Sequence, residues 1–246
     1  MALTNYDKIA DGYVKSKIIP AKLYSEEHTF FLALGDAKDL SVLDLACGDG
    51  YYTRAVKKFG AGAVTGVDVS EVMIKLAQKE EEVQRLGINY LVGDITNTAI
   101  MGEFDIVTAV YLLPHAKTIS ELQTMCDAIF RNLKPGGRFI AVTIDPNISI
   151  KGQPTLEKYG FNIQAKTPLT DGMPLTVTLF TPDEPIYIKD HYWSRQTYER
   201  HLKIAGFYNI AWQPMQVSNE GLAKFGNEYW KEFLHNPGII VLKAQK

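Results

Sequence analysis

The sequence predicts an α/β protein built on a mostly parallel sheet with helices on its faces. Three observations predict it. Between Leu40 and Asp145, short apolar runs rich in β-formers alternate with amphipathic segments, the first run leads straight into a glycine loop, and glycine or proline closes the amphipathic segments.

The apolar runs are Ser41 to Ala46, Ala63 to Val69, Asn89 to Val92, Phe104 to Leu113 and Arg138 to Ile144. Each is short enough to be a strand buried on both faces. After the second run, Ser70 is placed to cap a helix with Glu71 in its first turn, Val72, Leu76 and Val83 on one face, and Gly87 as its stop. After the fourth, Ser120 is placed to cap a helix carrying Leu122, Met125, Ile129 and Leu133, closed by Pro135-Gly136-Gly137. Beyond Asp145 six prolines break the helical period, so residues 146–192 read as an insertion over the sheet, with strands at Thr176 to Phe180 and Ile186 to Tyr192. A helix from Ser194 to Ala205, stopped by Gly206, follows. Closing strands are expected near Phe207 to Trp212 and Ile239 to Leu242, with a helix over Asn219 to Leu234 between them.

Composition bounds the function. Of 246 residues, 46% are hydrophobic and 22% charged, which excludes a disordered or fibrous chain. Twenty-six basic against 28 acidic side chains leave a net charge of −2 with no basic stripe, so nothing supplies the counterion-release term of nucleic-acid binding. No apolar stretch reaches the roughly 20 residues of a membrane span. The N-terminus carries neither a basic leader nor an apolar core, and Cys47 and Cys126 make no disulfide framework or metal pair, so a cytoplasmic protein is expected. The five histidines form no HxH or HxxxH pair, and no metal is expected. A single domain, residues 1–246, is expected, as a monomer or homodimer.

The glycine loop is the sharpest feature. Val42 to Tyr51 reads as a strand, a loop bearing Gly48 and Gly50, and a helix start, at the carboxyl end of the first strand, where open α/β sheets bind ligands. Thr53 stands where a dinucleotide fingerprint has its third glycine, and no Gly-Lys-Ser/Thr phosphate loop is present. Asp44 and Asp49 instead make the loop acidic, which suits a cationic ligand. Asp68 ends the second strand about 20 residues after the loop, the spacing at which a carboxylate accepts from ribose hydroxyls. A ribose without a pyrophosphate is implied.

Five segments in order, Asp44 to Gly50, Gly66 to Ser70, Gly93-Asp94-Ile95, Phe104 to Val107 and Leu133 to Gly137, make the chain resemble the class I S-adenosylmethionine (SAM) dependent methyltransferases. The resemblance implies a Rossmann-like, seven-stranded sheet with a substrate-cap insertion after strand five. It implies SAM as cofactor and S-adenosylhomocysteine as product. By the same resemblance, residues 40–145 form the SAM-binding core, 1–30 an N-terminal lid with Tyr6 and Tyr13 closing over SAM, 146–192 the cap, and 193–246 the rest of the fold. It places Asp44, Ala46, Cys47 and Gly48 along the methionine part of SAM. Asp68, Val69 and Met73 fall at the ribose, Gly93, Asp94 and Ile95 at the adenine, and Ala109, Val110 and Tyr111 at the sulfonium side. Segments around Asp145, Tyr159 and Tyr192-Trp193-Ser194-Arg195 are similar to toxoflavin synthase-type N-methyltransferases, which methylate small nitrogen heterocycles.

The expected reaction is methyl transfer to nitrogen or oxygen of a small, planar acceptor. Two rivals share the cofactor contacts: a cyclase or lyase that consumes SAM itself with release of methylthioadenosine, and a noncatalytic SAM sensor. Positioning dominates such a displacement, with a general base adding where the acceptor carries a proton. His115 and Asp145 are the candidate bases, each also readable as a loop residue that bonds to nearby backbone. Tyr111, His115, Tyr192 and Trp193 are the candidate acceptor contacts. Arg195 reads as surface and Cys126 as core.

Overall fold

The computed structural model describes residue 10 and residues 12–96, 102–150 and 156–246. After a helical turn at residues 12–15, a 3₁₀ turn (Ser16–Ile18) and a π turn (Lys22–Glu26) lead into α1 (Glu27–Leu34). The core then runs β1 (Val42–Leu45), α2 (Tyr51–Lys58), β2 (Val64–Asp68), α3 (Glu71–Gln84), β3 (Asn89–Val92), β4 (Phe104–Val110), α4 (Ile119–Arg131) and β5 (Leu133–Ile144). A cap of β6 (Phe161–Ala165), β7 (Met173–Leu179) and β8 (Ile186–Tyr192) follows. The chain closes with α5 (Arg195–Ala205), β9 (Tyr208–Gln213), α6 (Asn219–Phe225), α7 (Asn227–His235) and β10 (Ile239–Gln245).

Seven strands form one sheet in the order β3-β2-β1-β4-β5-β10-β9, parallel except for β10, which runs antiparallel to both neighbours. The order reverses between β1 and β4. That switch point is where an open α/β sheet leaves a crevice at its carboxyl edge. Period-two alternation feeds two cores: Val42, Ile106, Ile140, Val142 and Val241 pack on one face with Phe30, Leu34, Val56 and Ile74, while Leu43, Val107, Ala109, Phe139 and Leu242 pack on the other with Leu122, Ile129, Tyr198 and Leu202. No described helix is long and apolar enough to cross a membrane.

Several local expectations are corrected. Strand four stops at Val110 rather than Leu113, because Tyr111 adopts a left-handed conformation (φ 63°) that an extended strand cannot contain. The cap of α4 is Thr118, not Ser120: its hydroxyl accepts from the Glu121 amide, while the Glu121 carboxylate accepts from the Lys117 amide at 2.7 Å. On α3 the buried stripe is Met73, Ile74 and Ala77, and Val83 is 77% exposed. Ser70 does cap that helix, accepting from the Met73 amide at 3.1 Å, but the helix ends at Gln84, before Gly87. Gly226, at φ 79°, splits the single helix expected over Asn219 to Leu234 into α6 and α7. The cap has a third strand, β6, that proline punctuation concealed.

The cap is antiparallel in the order β6-β7-β8, and it is fixed to α7 by aromatic packing. Tyr159 is fully buried, stacks on Trp230 with ring centroids 5.6 Å apart, and donates to the Tyr229 carbonyl at 2.6 Å. Phe233 completes the cluster, 5.2 Å from Tyr159 and 5.6 Å from Trp230. Because Trp230 is wholly buried beneath the cap, Trp230→Ala should cost roughly 3–5 kcal/mol in a denaturant titration followed by far-ultraviolet circular dichroism. A cost under about 1 kcal/mol would mean that the cap is held elsewhere.

Candidate functional site

The crevice at the switch point begins where β1 turns into α2. Ala46, Gly48 and Gly50 all have positive φ (56°, 56° and 78°), which folds the loop back on itself. The Gly50 amide donates to the Cys47 carbonyl at 2.9 Å, and a Cβ on Gly50 would stand 2.8 Å from Cζ of Tyr90. Only glycine fits there. Asp68, at the end of β2, braces the loop: Oδ2 accepts from the Gly48 amide at 2.9 Å and Oδ1 from the Ser70 amide at 2.8 Å.

A cleft of about 750 Å³ opens over this loop. Its walls include Tyr13, Ala46, Gly48, Asp68, Val69, Met73, Gly93, Asp94, Ile95, Val110, Tyr111 and His115, all residues that the sequence nominated. Asp94 is held by its own loop, since Oδ1 accepts from the amide and the hydroxyl of Thr96 at 2.8 and 2.7 Å. The cleft also takes in residues that sequence reasoning missed, chiefly Leu112, Lys117, Glu121 and Thr124. These lie on the β4 to α4 connection and the first turns of α4, and the Thr118-x-x-Glu121 spacing was the signal that could have placed them at a helix start. Tyr6 lies outside the described residues.

Other nominees are absent from the cleft walls. Asp44 is buried under the loop, where its carboxylate accepts from Thr53 Oγ1 at 2.7 Å and Thr108 Oγ1 at 2.8 Å. It therefore ties β1 to α2 and β4. Cys47 is buried against Gly66 and Tyr90, and burial followed by the neighbouring carboxylates drives its thiol well above the ordinary range, so it remains a protonated packing residue. Ala109 is fully enclosed in the core below the strand end.

A second, smaller cavity of about 50 Å³ lies between the N-terminal segment, the cap and the sheet edge. Its walls are apolar where the cap supplies Phe161, Ile163, Val177, Leu179 and Ile188, and polar where Lys17, Lys22, Glu26, Tyr111 and Asp190 approach. Tyr13 and Tyr111 belong to both cavities. Glu26 fixes this shared wall. Its Oε1 accepts from Lys22 Nζ and Tyr52 Oη, each at 2.8 Å, and its Oε2 accepts from Tyr111 Oη at 2.5 Å. Burial alone would raise the Glu26 pKa, but the Lys22 charge and the three donors outweigh it and hold the carboxyl ionised. The Tyr111 hydroxyl is pushed far above its usual range by burial and by Glu26, so it stays protonated as a donor.

His115 sits on a 3₁₀ turn (Leu113–His115) after β4, with Nδ1 2.6 Å from Oδ1 of Asp190 on β8. The other base candidate is corrected: Asp145 borders neither cavity, and its Oδ1 caps the following turn by accepting from the Asn147 amide at 2.8 Å. Tyr192 and Trp193 are corrected too. Both are buried, the Tyr192 hydroxyl donating to the Pro146 carbonyl at 2.7 Å and the Trp193 indole to the Ala116 carbonyl at 3.1 Å, so they lock the cap to the sheet edge instead of facing a ligand. Arg195 is at the surface, paired with Glu199 at 2.9 Å. Among the described residues no cluster of three His, Cys, Asp or Glu side chains could hold a metal ion.

Comparison with known proteins places this geometry. A family model described as a methyltransferase domain matches residues 42–137. Ubiquinone biosynthesis O-methyltransferase of Coxiella burnetii is 40% identical over 111 residues, 45% of this chain and 46% of that protein, so the match spans about half the length of that relative. Demethylmenaquinone methyltransferase of Lactococcus lactis is 30% identical over 227 residues, covering 85% of this chain and 82% of that protein. In fold, the chain is similar to a solved S-adenosylmethionine dependent methyltransferase of Listeria monocytogenes (TM-score 0.63, 22% identity), with 90% of this chain and 96% of that one covered.

Burial raises the Asp44 carboxyl from 3.8 to about 6, against the two threonine donors that lower it. The folded state therefore binds more protons than the unfolded chain between those values. Stability from this group is fully present at low pH and is lost as pH rises through about 6. Relative to Asp44→Asn, the wild type should lose up to about 3 kcal/mol of unfolding free energy between pH 4 and pH 7. Chemical denaturation of both proteins across that range checks it, and parallel pH profiles would count against the raised carboxyl.

Proposed function

The chain belongs to the class I S-adenosylmethionine-dependent methyltransferases, and we propose that it moves the SAM methyl group to nitrogen or oxygen of a small, planar acceptor held beneath the cap. The observation that carries this reading is the pair of cavities meeting at Tyr13 and Tyr111. A donor held in the open cleft and an acceptor held under the cap would face each other across that wall.

The cleft suits the donor. Asp68, Asp94 and Glu121 supply three carboxylates against one lysine, Lys117, an acceptor set matched to a cationic ligand that has hydroxyls and an amino group but no phosphate. Asp68 would accept from the ribose, Asp94 and Ile95 would meet the adenine, and the Ala46 to Gly48 backbone would follow the methionine part. SAM supplies a methyl group on a positively charged sulfur with a good leaving group already built in. The protein's part is to align the acceptor, keep water out and hold any proton that leaves. Alignment in the best cases lowers such a barrier by roughly 7–11 kcal/mol.

The apolar cap walls support a flat, weakly polar acceptor, and relatives named for ubiquinone biosynthesis and for demethylmenaquinone support a ring-bearing one. A nitrogen heterocycle of the kind methylated by toxoflavin synthase-type enzymes would meet the same apolar walls. A cavity on the order of 150 Å³ is needed to hold even a benzene ring, so an acceptor must displace part of the N-terminal segment that closes the present space of about 50 Å³.

Mass spectrometry of the protein incubated with SAM, with and without a panel of planar heterocycles and phenols, tests the reading. S-adenosylhomocysteine that accumulates only with an acceptor is expected. Methylthioadenosine formed from SAM alone would replace it with chemistry on SAM itself, and binding without any product across the panel would favour a sensor. Asp68→Ala should weaken SAM binding in calorimetry by roughly 1.5–3 kcal/mol for each ribose bond lost. Unchanged affinity would remove Asp68 from the ribose site.

A further inference from the structure

The geometry points to Asp190 as the positioning residue of a proton-accepting pair with His115, built across the wall between the two cavities, and so to an acceptor whose nucleophilic nitrogen or oxygen carries a proton. This deepens the methyl-transfer reading and rests on it. His115 borders the donor cleft, Asp190 borders the acceptor cavity, and their side chains meet at 2.6 Å. The pair therefore spans the boundary that the methyl group must cross.

Asp190 is 3% exposed on a cap strand whose neighbours Ile186 and Ile188 are apolar. A carboxylate there is costly unless a donor group or an opposite charge meets it. His115 is the group at contact distance. Its Nδ1 faces Asp190, which fixes the ring and its tautomer and directs Nε2 to the proton-accepting role, while Asp190 stabilises the imidazolium that forms. Burial lowers the His115 pKa, but the Asp190 carboxylate beside it, with a smaller contribution from Asp68, raises it above the ordinary histidine value. The charged groups that act on the ring are Asp190 from β8 and, more weakly, Asp68 from the end of β2, while Tyr13 from the N-terminal segment, Tyr111 and Lys117 from the β4 to α4 connection and Glu121 from α4 line the same cleft.

The step balances as follows. A lone pair on the acceptor nitrogen or oxygen forms the new bond to the methyl carbon, the carbon–sulfur pair leaves with sulfur in S-adenosylhomocysteine, and the acceptor's proton passes to Nε2 of His115. The resulting imidazolium is held by the Asp190 carboxylate until the proton is lost to solvent. An acceptor with no proton on its nucleophilic atom gains nothing from this arrangement.

Two measurements test the pair. In the protein saturated with S-adenosylhomocysteine, the His115 imidazole is titrated by ¹⁵N-resolved NMR in wild type and Asp190→Asn. The wild-type ring should titrate above free histidine and the variant about one pH unit or more lower, since burial then acts without the opposing charge; coincident titrations in a folded variant would overturn the pairing. S-adenosylhomocysteine release is then measured with phenol, catechol and imidazole as protic probes and with pyridine and dimethyl sulfide as aprotic ones. Expected are turnover of protic probes only, a 10²-fold or larger loss in His115→Ala, partial rescue of that variant on phenol by added imidazole, and a pH–rate limb that moves to lower pH in Asp190→Asn and returns in Asp190→Glu. Protic turnover that both variants leave unchanged, or turnover of aprotic probes at equal rates, would overturn the base role while sparing the methyl-transfer reading. Release with neither group of probes would overturn that reading and the base role with it.

Discussion

The wall between the two cavities depends on one buried carboxylate. Glu26 gathers Lys22 from its own π turn, Tyr52 from α2 and Tyr111 from the end of β4 onto two oxygens. Removing one member of such a set leaves a buried charge uncompensated, which typically costs about 3–5 kcal/mol. Tyr111 is held there by its hydroxyl on Glu26 and its amide on the Val142 carbonyl, in a left-handed conformation that is sterically disfavoured for a bulky residue. The strain ends β4 at the point where donor and acceptor would meet, so the position of the wall follows from the charge behind it.

Carboxylates also organise the donor side, though each does so differently. Asp44 faces inward and ties three elements together through threonine hydroxyls, at the cost of a raised pKa. Asp68 faces the cleft and spends two of its lone pairs on the amides of Gly48 and Ser70. The residue proposed for the ribose is thus the one that sets the loop. A structural and a binding role in one side chain explains why the loop and the end of β2 act as a unit.

The donor half of the site was legible in the sequence because its parts are local. A strand, a glycine loop and an acid about 20 residues later are fixed by short-range geometry, so Asp44 to Gly50 and Asp68 announce themselves by spacing, while Asp94 came through the family resemblance. Even there, spacing did not say which way a side chain turns: Asp44, Cys47 and Ala109 proved to be enclosed. The acceptor half was not legible. Its walls come from Lys17, Tyr111, Phe161 and Asp190, brought together only by tertiary packing, and the prolines of the cap masked β6. Tyr192 and Trp193 looked like a substrate cage because aromatic residues in an insertion can stack on ligands, but each had a buried backbone carbonyl to satisfy. The same limit hid Asp190, whose partner lies 75 positions earlier in the chain.

The N-terminal segment forms one wall of the smaller cavity, and its two ends are held by different contacts. At the Glu26 end three hydrogen bonds converge on a buried charge. At the Lys17 end a buried ammonium lies 3.6 Å from Asp49 and 3.8 Å over the Tyr13 ring, and burial depresses its pKa because these contacts only partly replace water. Through Asp49, Lys17 also ties this segment to the glycine loop, so the wall of the smaller cavity and the loop under the cleft share one buried ion pair.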